Sequence, residues 1–233
     1  MLRSCPVTSG SATRSIKPNM AHKVQNAVIM FAEGKTTVDR ILNAAVESIV
    51  VRGCDAINLR AIAEQAAVML SQLCCHYGDK NNLFSAVLKR IQQNYMEGLS
   101  GLCRGYDTPG EQIIDFIDYN KFLLKESPDT YRIFIEFCRF STASQKFQAE
   151  LANFPSEIAS MIESRIICNG FYRRSVAGFS IAVVARIVLS ASLGIALQHF
   201  LSPEIEGVWK RFDDIKAAAV KLIEEGTDGP GKR

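Results

Sequence analysis

The chain has 233 residues, a mass of 25.8 kDa, 48% hydrophobic and 22% charged residues, and a formal net charge of +3. That balance supplies a sizeable core and excludes a disordered or strongly polycationic protein. The charge is uneven: Arg3, Arg14, Lys17 and Lys23 against Glu33 place the whole +3 in residues 1–34, and the rest sums to zero.

Residues 1–20 are rich in Ser, Thr, Gly and Pro and read as disordered, with no apolar segment of a secretory signal. Residues 1–34 are expected to form a disordered basic arm, and Met20 is an alternative start. A first helix is expected near Thr36 or Thr37. Val38, Ile41, Leu42, Ala45 and Ile49 make one apolar stripe, and Gly53 offers a left-handed stop. Asn58 is the expected N-cap of a short second helix with Leu59, Ile62, Ala63 and Ala66 on its inner face. A third short helix covers Leu70 to Tyr77 and ends at Gly78. Asp79 then caps a fourth helix that carries Leu83, Val87, Leu88 and Ile91.

Beyond Gly101 the expected helices lengthen: Pro109 to Glu126, Pro128 to Phe140, 145–168, 176–201 and Pro203 to Glu225, with a flexible tail at 227–233. The segment 176–201 is nearly all apolar, with Arg186 in it. A membrane span would hold that guanidinium near mid-bilayer at roughly 2.5–3.5 kcal/mol or more, so a helix buried in a core or a dimer interface is expected, and no membrane partner. The fold class is all-α. It comprises a three-helix, helix-turn-helix unit over 35–82 and a larger helical unit for effector binding and dimerisation over 83–226.

Three helices within about 45 residues, two of them short and joined by a tight turn, have the dimensions to place one helix in a major groove about 12 Å wide. Here the residues resemble a known family. Ile41-Leu42-Asn43-Ala44-Ala45, Arg52-Gly53, Leu59-Arg60-Ala61-Ile62-Ala63-Glu64, Leu73, His76-Tyr77-Gly78, Lys80 and Leu83-Phe84 look like the N-terminal domain of TetR-family regulators over residues 37–88. Leu193 to Gln198 and Leu201-Ser202-Pro203 resemble the end of the C-terminal domain in one branch. The resemblance implies a homodimeric transcriptional regulator, most often a repressor, that a small ligand in the C-terminal domain releases from a double-stranded DNA operator. It implies a cytoplasmic protein without enzymatic activity.

By the resemblance, Arg60, Gln72, His76 and Lys80 align with DNA-contacting positions, and the candidate interface comprises Asn58, Arg60, Leu70, Ser71, Gln72, Cys75, His76, Tyr77 and Lys80. Gln72 can pair bidentately with adenine, Arg60, Ser71 and Lys80 can meet phosphates, and Leu70 or Cys75 can meet a thymine methyl. The same side chains can equally be ordinary solvated surface. Arg14, Lys17 and Lys23 can lie in an adjacent minor groove. Several positions depart from the family pattern. Ala67 stands where glycine is usual, Met69 where a capping serine is usual, Leu70 where a polar residue is usual, and Cys74 where an aromatic is usual. Residues 35–82 also carry five basic and five acidic side chains. These departures motivate an alternative, a TetR-like protein with a degenerate recognition helix that acts through ligand or protein binding without specific DNA binding.

Cys5, Cys54, Cys74, Cys75, Cys103, Cys138 and Cys168 include no C-x-x-C pair, so neither a metal nor a cofactor is expected. The thiols read as free and buried, with Leu70, Leu73, Cys74 and Tyr77 on one inward face. No nucleophile–base pair or phosphate loop points to an enzyme. In the C-terminal unit, Tyr131, Glu136, Arg139, Arg186, Gln198 and His199 are the candidate ligand-binding residues. Glu136 can instead pair within its helix, with Arg132 or Arg139. Arg186 is expected to meet a carboxylate across an interface or to face a cavity. By the resemblance, the last two helices are the expected dimer interface, with Ala185, Ser190, Ser192 and Gly194 allowing close approach.

Overall fold

The computed structural model describes residues 36–102, 109–142, 144–168, 175–176, 179–204 and 207–227. Among these the elements run α1 (Thr37–Arg52), α2 (Leu59–Gln65), α3 (Leu70–Tyr77), α4 (Lys80–Leu102), α5 (Pro109–Glu126), α6 (Pro128–Ser141), α7 (Gln145–Cys168), β1 (Ser175–Val176), β2 (Phe179–Ser180), α8 (Ile181–Leu201) and α9 (Val208–Thr227). The basic arm, with Arg14, Lys17 and Lys23, lies outside the described residues.

Side-chain caps set the starts of α1, α2 and α4. Thr36 Oγ1 accepts from the Asp39 amide at 3.1 Å, and the Asp39 carboxylate accepts back from the Thr36 amide at 3.3 Å, so two free donors are satisfied reciprocally. Asn58 Oδ1 accepts from Arg60 N at 2.9 Å and Asp79 Oδ1 from Asn82 N at 2.8 Å, as their residue types predict. Gly53 stops α1 with φ +71°, but its ψ of 166° is extended, not the left-handed helical value expected. At the turn between α2 and α3, Ala67 takes φ +51°, which makes it the one non-glycine with positive φ among the described residues. Arg40 of α1 donates to its carbonyl at 3.3 Å.

Two cores result. Ile41, Ala45, Ile49, Ile62, Leu73 and Leu83 fill the first, beneath α1–α3. Leu99, Ile113, Phe116, Ile158, Val188 and Phe212 belong to the second. Three helices serve both. The first half of α4 packs in the head core (Leu83 to Ile91) and its second half in the body core (Tyr95, Leu99); α7 divides in the same order, and α6 in the reverse, with Tyr131 in the body core and Phe137 in the head core. Four phenylalanines join the two units: Phe84, Phe137, Phe140 and Phe147 stack tilted or edge-on, with ring centroids 5.0–5.9 Å apart.

Two helix boundaries differ from the sequence expectation. The helix expected from 176 begins at Ile181. β1 pairs antiparallel with β2 before it, with Val176 opposite Phe179. β-branched and aromatic residues around an Ala-Gly pair favour a hairpin over a helical turn. The helix expected from Pro203 begins at Val208, because Gly207 at φ +105° cannot be part of it. By length and composition the stretch Ala182–Leu201 is apolar enough to cross a membrane. Its Val184, Ala185, Val188, Ser192, Ile195 and Ala196 are buried against the rest of the chain.

Ala67→Gly is expected to raise unfolding free energy by about 0.5–1 kcal/mol, the relief of a left-handed β-carbon less the added entropy of the unfolded chain. Gly53→Ala is expected to lower it by about 1–2 kcal/mol. Urea titrations of the two variants check both signs.

Candidate nucleic-acid interface

The head presents α3 to solvent. Leu73 is its buried anchor, Leu70 and Tyr77 are half-buried, and Ser71, Gln72, Cys74, Cys75 and His76 are exposed. Cys74 therefore departs from the expected inward face. On eight residues centred on Leu73, the inner stripe is too narrow to include it. Of Cys54, Cys74, Cys75 and Cys138, Cys54 alone is buried and the other three are exposed, against the expectation of buried thiols. Asn58 and Arg60 are exposed at the start of α2, beside α3.

Besides Asn58, whose Oδ1 caps α2, two candidates have polar groups that are already engaged. Met69 gives α3 no side-chain cap. Instead Gln72 Oε1 accepts from the Met69 amide at 3.1 Å, which leaves the Gln72 amino group for a ligand. Lys80 Nζ donates to the Asp55 carbonyl at 3.2 Å and lies 5.6 Å from the Phe84 ring centroid.

The loop between α1 and α2 is held by α6. Glu136 Oε2 accepts from the Cys54 amide at 3.1 Å and from Arg139 Nη2 at 3.0 Å, and Arg139 Nη1 pairs with the Asp55 carboxylate. The Arg139 hydrogen bond holds the Glu136 carboxyl below the usual carboxylate range. The Cys54 amide acts in the same direction, and partial burial opposes both. A β-carbon at Gly53 would sit 3.0 Å from Glu136 Oε2, so any other residue there would push the carboxylate back by a few tenths of an ångström. Burial pushes the Cys54 thiol up to about 12. Lys146 of α7 adds a second tie, donating to Asn82 Oδ1 at 3.3 Å.

Within the body a cavity of about 230 Å³ opens between α4, α5, α6, α7 and α8. Of the six candidate ligand residues, Tyr131 and Arg186 line it. The other four stand elsewhere. Glu136 and Arg139 form the tie to the head, in keeping with the i,i+3 pairing the sequence allowed. Gln198 accepts from Arg211 Nη1 of α9, and the His199 ring lies 5.5 Å from Trp209. Arg132, the other possible partner of Glu136, pairs with Asp129 at 3.1 Å. Tyr95, Asn120, Phe134 and Phe154 also line the cavity, and sequence reasoning did not find them. One signal was Pro155, a proline within α7 that also lines it. Among the described residues no group of three His, Cys, Asp or Glu side chains gathers to hold a metal.

On α8 the small residues divide. Ala185 and Ser192 are buried within the protomer, contrary to the expectation that they face a partner, while Ser190 is exposed and Gly194 has nothing within 4 Å of where a β-carbon would be.

A three-helix head on a helical body is also the fold of solved structures described as transcriptional regulators. A Rhodococcus sp. protein described as a TetR-family regulator superposes with a TM-score of 0.65 at 18% identity, covering 80% of this chain and 98% of its own. FadR from Bacillus subtilis, solved in complex with stearoyl-CoA, gives 0.62 at 16% identity over 80% and 97%. Reduced E. coli NemR gives 0.66 at 16% over 81% and 98%. No family model matches the sequence, and no curated protein is similar to it. The chain shares its fold with these transcriptional regulators.

Removing the carboxylate that holds the loop leaves the Cys54 amide without its partner. Glu136→Ala is expected to lose about 1–2 kcal/mol in urea unfolding, and Glu136→Gln, which keeps an acceptor, less. Because the folded carboxyl titrates below its unfolded value of about 4.3, its contribution is complete above that pH. It is lost as pH falls through the lower folded value. The wild type should therefore lose stability relative to Glu136→Gln as a melting series descends below about pH 4.3.

Proposed function

We propose that the chain is a DNA-binding transcriptional regulator, a cytoplasmic homodimeric repressor that leaves a palindromic operator when a small molecule fills the body cavity. It acts without catalysis. The observation that carries this reading is the exposed row Ser71, Gln72, Cys75 and His76 on a head tied through Glu136 to α6, the helix whose Thr130, Tyr131 and Phe134 line the cavity. The backbone N–H groups at the start of α4, beside Lys80 and Arg60, offer phosphate contacts, and Gln72 and His76 offer base contacts. A neighbour of the same fold, FadR, was solved in complex with stearoyl-CoA, which supports a small-molecule effector for this chain.

The homodimer is supported by α8. Val183, Ile187, Ser190, Gly194, Leu197 and Leu201 recur at alternating steps of four and three, the seam spacing of two packed helices. Ile187 is 54% and Leu201 74% exposed, too apolar a row for a solvated face. Two heads related by a twofold axis read two half-sites, which one head of this size cannot do.

A second reading draws support from the engaged Gln72 and Lys80 and from the strained turn at Ala67: the head no longer recognises a specific operator, and the protein acts through ligand or protein contacts.

Fluorescence anisotropy against a duplex from the gene's own upstream region, beside a scrambled duplex and across salt, separates the two. A preference of about 10³-fold or more, with a salt slope of several phosphate contacts, is expected for the regulator. Equal, feeble binding to both duplexes and to genome-wide selected fragments favours the second reading. In that case Ala67→Gly with Met69→Ser should tighten binding if those residues are defects. Ile187→Glu with Leu197→Glu is expected to convert a dimer to a monomer by sedimentation and to weaken operator binding. A wild-type monomer at tens of micromolar would overturn the dimer.

A further inference from the structure

We infer that the body cavity takes a carboxylate amphiphile, a medium-length apolar chain whose anionic head is held by Arg186. This rests on the reading of the cavity as the effector site and names the chemistry of that effector. The walls are apolar: Ile91, Leu123, Phe134, Phe154, Leu189 and Leu193 surround the space. The polar groups deep in the cavity are spoken for. Asn120 Oδ1 accepts from the Tyr95 hydroxyl at 3.1 Å and from the Tyr131 hydroxyl at 2.9 Å, and Asn120 Nδ2 donates to the Phe116 carbonyl at 2.8 Å. Burial raises both phenols, so both keep their protons and both protons are committed. A ligand carbonyl or carboxylate pushed to this end would find neither hydroxyl proton free, whereas a hydrocarbon end loses nothing there.

Arg186 is the one charged residue that lines the cavity, and the one Asp, Glu, Lys or Arg in the whole of α8. It is exposed, which puts it at the rim. Among the described residues it has no ion-pair partner, and its one polar contact is a 3.5 Å approach of Nη2 to Ser156 Oγ. A guanidinium kept on an otherwise uncharged helix, beside an apolar hole and with no ion-pair partner among the described residues, has four of its five donors available to a ligand, the fifth reaching Ser156. The planar fork matches a carboxylate in a bidentate pair. A cationic head is repelled there, and a neutral head forgoes the charge-assisted bonds. The cavity, about 230 Å³, has room for a chain of medium length, and an eight-carbon chain serves as the probe.

The test is calorimetric titration of octanoate, 1-octanol and octylamine into the full chain and into Arg186→Gln and Arg186→Lys, each below its micellar concentration. Octanoate is expected to bind about tenfold tighter than octanol, the scale of a charge-assisted hydrogen bond. Octylamine should bind weakest. Arg186→Gln should abolish the preference and leave octanol within about twofold of its wild-type affinity, and Arg186→Lys should keep part of it. Because Arg186 is exposed at the rim, both variants are expected to fold, which their thermal melts check. Equal affinities for octanoate and octanol in the wild type overturn the assignment of charge while the cavity stands as a site. Binding of none of the three overturns the inference. Anisotropy on the same samples keeps its failure distinct from that of the regulator. Specific duplex binding without amphiphile binding sinks the inference alone, and octanoate preference without duplex binding sinks the DNA-binding reading alone.

Discussion

One carboxylate joins the two halves of this molecule. Glu136 accepts from the backbone of the α1–α2 loop on one side and from Arg139, itself paired to Asp55, on the other. The interaction spans more than 80 residues of sequence, and two features make it possible. Gly53 brings the loop close enough at a positive φ. The four-phenylalanine stack sets the distance between α6 and the head, so the carboxylate need only complete a gap that packing has already closed. A charged group in such a position contributes direction more than raw stability. The apolar stack would tolerate a small rotation of the head, and the three polar contacts would not.

How much of this was legible in the sequence depended on how local its cause was. Thr36, Asn58, Asp79 and the glycines at 53 and 78 mark helix ends through contacts within a few residues, so the three head helices and their order could be read from the chain alone. So could the strain at Ala67, because a β-carbon in a left-handed turn is a local problem. Long-range placement was not legible. The pairing of Glu136 with Arg139 was open to sequence reasoning, but its destination at Cys54 and Asp55 was not, because nothing in the spacing says which loop faces α6. Cys74 failed for a different reason: a stripe drawn on an eight-residue helix is uncertain by about one residue's 100° of rotation. At the candidate site, Gln72 and Lys80 were found by position. Their engagement with Met69 and Asp55 depends on three-dimensional neighbours.

The helix α8 defeated periodicity altogether, since it is apolar on every side and no face stands out. The structure resolves it into three strips. Ala185, Ser192 and Ala196 are buried against the protomer, Arg186, Leu189 and Leu193 border the cavity, and Ile187, Leu197 and Leu201 face outward. The membrane-like composition follows from this geometry. A helix that contributes to a core, a cavity wall and an outward apolar seam has no side left on which charge is useful. The exception, Arg186, sits where the cavity wall reaches solvent.

The buried Cys54 has a consequence for kinetics. Its thiol is shielded in the head core and its ionisation is suppressed, yet its own amide is one of the two groups that Glu136 accepts from. Alkylation of this sulfur requires the loop to lift from α6, whereas the exposed thiols of Cys74, Cys75 and Cys138 react without any opening. The ratio of the two labelling rates is therefore an internal clock for sub-global opening. It distinguishes detachment of the loop, independent of denaturant at low concentration, from cooperative unfolding, which carries the full denaturant slope.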